Sequence, residues 1–170
     1  MKKFFAILMA LCLFCSVALA EEINWADVEA SVAEAGIEGD FVSVSDLGVK
    51  MFVPSVFQEV ELSEEDVANG YICYLTTEDQ SGNVGVFYND TEGLSLEELA
   101  AGLSEAGATD VELATLNGIP VVTYTQSESD SVNVGMMTDA GNAVVFSFSP
   151  SSDEGFQSIA AIMTASIQAE

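Results

Sequence analysis

Four times along the chain, two runs rich in β-branched and aromatic residues flank a short turn, and this repeated pattern restricts the fold more than any other feature. Residues 41–44 and 49–53 lie on either side of Ser45-Asp46-Leu47-Gly48. Residues 71–76 and 84–88 flank Glu78-Asp79-Gln80-Ser81-Gly82-Asn83. Residues 111–116 meet 119–125 across Asn117-Gly118, the strongest two-residue hairpin signal in the sequence. Residues 132–137 meet 143–148 across Asp139-Ala140-Gly141-Asn142. A tight turn joins neighbouring strands of opposite direction, so the sheet is expected to be mainly antiparallel. The runs 71–75 and 143–148 are apolar at nearly every position, the pattern of strands covered on both faces. Pro54 and Pro120 place their own strand positions at an edge or a terminus.

Three stretches carry helical rather than strand periodicity. Asn24 is an N-cap ahead of the stripe Trp25, Val28, Val32 and Ala35, and Gly36 stops it. Ser95-Leu96-Glu97-Glu98 is a capping box that opens the stripe Leu96, Leu99, Ala100 and Leu103, with Gly107 at its end. A third stripe, Phe156, Ile159, Ala160, Met163 and Ile167, follows Pro150-Ser151-Ser152. Such stripes are core-facing sides of helices. The resulting order, α-β-β-β-β-α-β-β-β-β-α, predicts an α+β domain: a mainly antiparallel sheet with helices on both faces, an α/β/α sandwich.

The first twenty residues read as a separate unit. Lys2-Lys3 forms a basic start, residues 4–17 are apolar except for Ser16, and Ala18-Leu19-Ala20 is a small-x-small cleavage pattern ahead of Glu21-Glu22. That layout is a bacterial secretory signal peptide cut between Ala20 and Glu21, with Ala18 and Ala20 as the small residues the peptidase requires. The 17 residues from Phe4 to Ala20 fall short of the roughly 20 needed to span a bilayer. Cys12 follows Leu11 and Cys15 follows Phe14, so neither sits in a lipidation context. The mature chain is expected to be one extracytoplasmic domain, residues 21–170. Cys73 is then its only cysteine, unable to form an internal disulfide and read as a small buried apolar side chain.

Charge restricts the chemistry. The sequence has 170 residues with 28 Asp and Glu, three Lys and no Arg or His; two of the lysines leave with the leader, so the mature chain sets one base against 28 acids, a net charge of −27. No imidazole can shuttle protons or bind metal, no Ser-His-Asp or Cys-His pair can form, and no guanidinium can clamp phosphate. Nucleic acid and anionic membranes are poor partners, because binding either one relies on Lys and Arg displacing counterions. Apolar residues make up 49% of the chain, so the acidity does not imply disorder, which needs low hydrophobicity as well.

Element order over the mature chain resembles the PsbP-like sandwich, named for an extrinsic photosystem protein and shared by many small exported bacterial proteins. The resemblance extends to Met51-Phe52-Val53-Pro54-Ser55-Val56-Phe57, to Leu116-Asn117-Gly118-Ile119-Pro120-Val121 and to the terminal helix beginning near Phe156. These segments look like strand ends, a turn and core positions. The resemblance implies a binding or accessory role and transfers no functional residue.

The residues themselves test the remaining chemistry. Paired carboxylates can hydrolyse glycosides when one is held protonated and the pair lies roughly 5–10 Å apart. With 28 acids many pairs meet that spacing as solvated surface charge, and the single Trp25 belongs to a core stripe rather than a sugar platform. Lys50 alternates with Val49 and Met51 and so points away from the face those residues bury; Leu47, three residues earlier, precludes a Ser-x-x-Lys dyad. The turns 79–83 and 139–142 offer oxygen ligands, but neither follows the twelve-residue calcium loop, and turn geometry explains both. Weak calcium association with the polyanionic surface is expected, and no cofactor. Asn89-Asp90-Thr91 fits a glycosylation acceptor and is read as a strand end entering a loop. The functional expectation is a monomeric, non-catalytic binding or accessory module for an extracellular protein or small ligand. The alternative is a carboxylate-based extracellular hydrolase.

Overall fold

The computed structural model describes residues 22–44, 47–91, 93–138 and 141–170. The expected leader, with Ala18, Ala20 and Glu21 of its cleavage site, lies outside the described residues, as do Ser45 and Asp46 of the first turn and Asp139 and Ala140 of the fourth. In chain order the elements are β1 (Glu22–Ile23), α1 (Trp25–Ala35), β2 (Gly39–Ser43), β3 (Val49–Pro54), β4 (Phe57–Glu59), α2 (Glu64–Ala68), β5 (Tyr71–Thr77) and β6 (Asn83–Asn89). They continue with α3 (Leu96–Glu105), β7 (Thr109–Leu116), β8 (Ile119–Gln126), β9 (Ser131–Met137), β10 (Ala143–Ser149), α4 (Glu154–Ala165) and β11 (Gln168–Ala169). This is an α+β fold, and apart from the parallel β1–β7 pair all its strand pairs are antiparallel.

All four expected strand pairs form, antiparallel in each case. Asn117 and Gly118 take the left-handed φ values of 47° and 84° that a two-residue hairpin needs. The strands divide into an eight-stranded sheet, ordered β1-β7-β8-β9-β10-β6-β5-β4, and a three-stranded sheet, β11-β3-β2. The first hairpin, expected to share the common sheet, thus belongs to a separate small one. Pro54 ends β3, the middle strand of the small sheet, while Pro120 is the second residue of β8, an interior strand. Both prolines sit at strand ends, where a missing N–H disturbs the ladder least.

The inner face of the large sheet carries the main core. Leu116, Val121, Val134, Val144, Phe146 and Val86 come from five strands and pack with Met163 and Ile167 of the C-terminal segment and Val49 and Met51 of β3. Burying one phenylalanine such as Phe146 stabilises by about 2–3 kcal/mol. Helix α4 serves two clusters, because its other side sends Ile162 toward Val32 of α1 and Phe52 of β3. Its N-cap is Asp153, whose Oδ1 accepts from the Phe156 N–H at 2.7 Å. Helix α3 lies across the opposite face of the sheet, over β7 and β8, so helices do cover both faces. Its capping box forms as read: Ser95 Oγ accepts from the Glu98 N–H, and Glu98 accepts from the Ser95 N–H.

Strand β10 is buried on both faces, as its sequence predicts. Strand β5 is not: residues 71–74 are half-buried, in a strand that lies one place from the sheet edge. Its outer face is covered by aromatic rings instead. Tyr71 packs on Phe87 with centroids 5.3 Å apart and lies so close to Gly85 that a β-carbon there would sit 2.8 Å from the ring.

Candidate functional site

The acids that the fold perturbs are all pushed toward the ionised form. Asp79 Oδ1 accepts from Ser81 Oγ (2.7 Å), Thr77 Oγ1 (2.8 Å) and the Ser81 N–H (3.0 Å), and these bonds hold its carboxyl down at about 2. Asp130 is lowered by the hydroxyls of Ser152 (2.7 Å) and Ser151 (2.8 Å). Asp66 and Glu98 are lowered by the Ser63 and Ser95 groups of their capping boxes. Hydrogen bonds donated to a carboxylate favour its charged form, the opposite of what a general acid requires. Cys73 moves upward to about 11, first through burial and then through the nearby Glu59 carboxylate, which makes it a poor nucleophile at neutral pH. Among the described residues no three His, Cys, Asp or Glu side chains converge on a point that could hold a metal ion.

The surface includes two depressions that bear on function. One, of about 560 Å³, opens between the sheets, with Val49 and Ala169 on one side and Ile119, Met136 and Val144 on the other, and Tyr88 among its lining residues. Thr138, Asn142 and Tyr88 put polar groups among its apolar lining, and no Asp, Glu, Lys or Cys is among the described residues that line it. The other, about 850 Å³ and more open, runs past Phe57, Gln58, Glu78 and Asp79. Glu78 and Asp79 both line it, but Asp79 is already committed to its own turn.

Lys50 emerges on the face of β3 opposite Val49 and Met51, as alternation predicts. Its ammonium lies 5.5 Å from the centroid of Phe41. Phe41 in turn meets Trp25 edge-on at 5.5 Å and Phe52 at 5.9 Å, while Trp25 stacks on Phe52 at 5.4 Å. Trp25 therefore does serve the small sheet rather than an open platform. This three-ring cluster escaped the sequence reading, because its members lie on three elements and only Trp25 belongs to a periodic stripe. Asn89 ends β6 as expected, and just beyond it Thr91 is buried, donating from Oγ1 to the Gly141 carbonyl at 2.7 Å.

No protein-family model and no curated protein matches the sequence. The fold, however, is similar to the solution structure of cyanobacterial PsbP (CyanoP) from Synechocystis sp. PCC 6803, with a TM-score of 0.55 and 12% sequence identity over 77% of this chain and 92% of that one. The fold is PsbP-like. At that identity the likeness concerns backbone architecture, and it agrees with the order of elements read from the sequence. No helix among the described residues is long and apolar enough to cross a membrane.

Proposed function

We propose that the chain is an exported accessory module that binds an extracellular protein or small ligand and carries out no chemistry on it. The observation that carries this reading is the state of the two depressions. The one between the sheets has no Asp, Glu, Lys or Cys among its described lining residues, and in the acidic one Asp79 is held ionised by three hydrogen bonds within its own turn. The PsbP-like fold supports the same reading, since the resemblance implies accessory roles.

The experiment is a turnover assay on the purified chain beginning at Glu21, using chromogenic glycosides and esters, beside the variants Glu78→Gln and Asp79→Asn. The expected result is no turnover above buffer in any of the three proteins. Turnover that disappears in either variant would establish the hydrolase alternative. N-terminal sequencing of protein recovered from the culture medium of its host tests export, with Glu21 expected as the first residue.

A further inference from the structure

Three of the four edge strands are very short: β1 and β11 have two residues each and β4 has three. The fourth, β2, has five residues and bounds the small sheet with only β3 beside it. The bonds from Val44 N–H to Val49 O and from Ser55 N–H to Glu38 O set the phase of the β2–β3 ladder. In that phase Asp40 and Val42 turn their backbone groups toward β3, and Gly39, Phe41 and Ser43 turn theirs outward. Among the described residues nothing pairs with these outward groups. Of the usual means by which proteins blunt an open edge, β2 carries no lysine, proline or bulge, only the single charge of Asp40. One apolar side chain stands exposed on each of its faces, Phe41 at 39% and Val42 at 43%, beside Ser43 and Asp40. Phe41 packs on Trp25 and Phe52, so a strand added here would meet a ring already seated on two others.

Charge decides the occupant. Asp40 and Glu38 are exposed along this edge, on a mature chain of net charge −27, so a second copy would bring like charge against like charge. Lys50, the one base after residue 20, already lies over the Phe41 ring, so the cations of a partner would meet Asp40 and Glu38 rather than that ring. We propose that β2 is a docking edge for an extended, lysine- or arginine-bearing segment of a partner protein, which adds as a further strand to the small sheet. The inference rests on the accessory reading and gives it a surface.

The test uses the chain from Glu21 onward and a synthetic capped peptide alternating lysine and valine, with a glutamate–valine peptide as control. The lysine peptide is expected to bind, to protect the amides of Gly39, Phe41 and Ser43 from hydrogen exchange, and to weaken with added salt; the glutamate peptide is expected not to bind. Ser43→Pro removes an outward N–H and leaves the bonds to β3 intact, so it should reduce affinity about tenfold or more while the protein stays folded. Absence of binding would overturn the proposal. So would equal binding to Ser43→Pro with no protection along β2, the mark of diffuse attraction to a polyanion. Self-association abolished by Ser43→Pro would assign the edge to a second copy and overturn it as well. Turnover in the hydrolase assay would defeat the accessory reading alone, whereas an edge that fails these tests without turnover defeats only this inference.

Discussion

Asn117 shows how much one turn residue can hold together. Its backbone sits at φ 47°, its Oδ1 accepts from the Trp25 N–H at 2.6 Å, and its Nδ2 donates to the carbonyls of Ala165 (2.9 Å) and Ile167 (2.8 Å). One side chain thereby ties the β7–β8 hairpin to the start of α1 and the end of α4, segments that are far apart in sequence. Asn117→Ala removes all three bonds, strands partly buried backbone groups, and puts a β-carbon without a compensating polar group in a left-handed conformation. Together these should destabilise the fold by about 3 kcal/mol. Asn117→Gly relieves the backbone term and loses the bonds, so it should fall between alanine and the native residue. Urea unfolding of the three proteins checks the order; equal midpoints for Asn117→Ala and the native chain would mean that the staple contributes nothing. The sequence identifies Asn117 from its turn chemistry, which is local. Its partners are not legible there, because no spacing rule links residue 117 to residues 25, 165 and 167.

The same boundary between local and distant information runs through the elements. Strand pairs, the capping box of α3 and the C-terminal stripe were legible because each is specified by neighbours within a few residues, whereas Asn24 makes no side-chain bond to α1 and the cap of α4 is Asp153. Division into two sheets was not, since alternation along 41–44 and 49–53 fixes which side chains share a face but not which strand lies next to the hairpin. Helix α2 has a capping box, Ser63 with Asp66, and no apolar stripe, so nothing in its periodicity announced it. The edge β2 and the aromatic cluster beneath it likewise depend on pairing between elements. At this scale Asp153 is the most informative position: it caps α4, the helix that supplies both core clusters. Asp153→Ala should cost about 1 kcal/mol and lower the melting temperature by about 3 °C. Asp153→Ser keeps a side-chain acceptor for the Phe156 N–H and should recover most of the loss. A serine variant no more stable than alanine would show that the cap's charge, rather than its hydrogen bond, matters.

For the whole molecule, the 28 acids act against one another at long range while a few act locally in the fold's favour. Repulsion among exposed charges reaches across the molecule at low salt, where the screening length is about 30 Å, and is confined to near neighbours at about 0.15 M, where it is about 8 Å. The melting temperature should therefore rise by about 4 °C between those conditions, the equivalent of roughly 1–2 kcal/mol. Salt should act in the opposite direction on a cationic peptide at β2, weakening it, because the same field that strains the fold attracts that ligand. Acid separates the long-range effect from the local one. As pH falls from 7 toward about 5 the net charge shrinks and melting should rise. Asp66, Asp79, Glu98 and Asp130 have folded values below their unfolded ones, so the stability they supply is complete above the ordinary carboxyl range and is lost as pH falls through the folded values, down to about 2 for Asp79. Melting should thus pass through a maximum in mild acid and fall steeply below about pH 3. A melting temperature that declines steadily from pH 7, together with no response to salt, would mean that self-repulsion does not govern this fold and that its acids act only through their immediate hydrogen bonds.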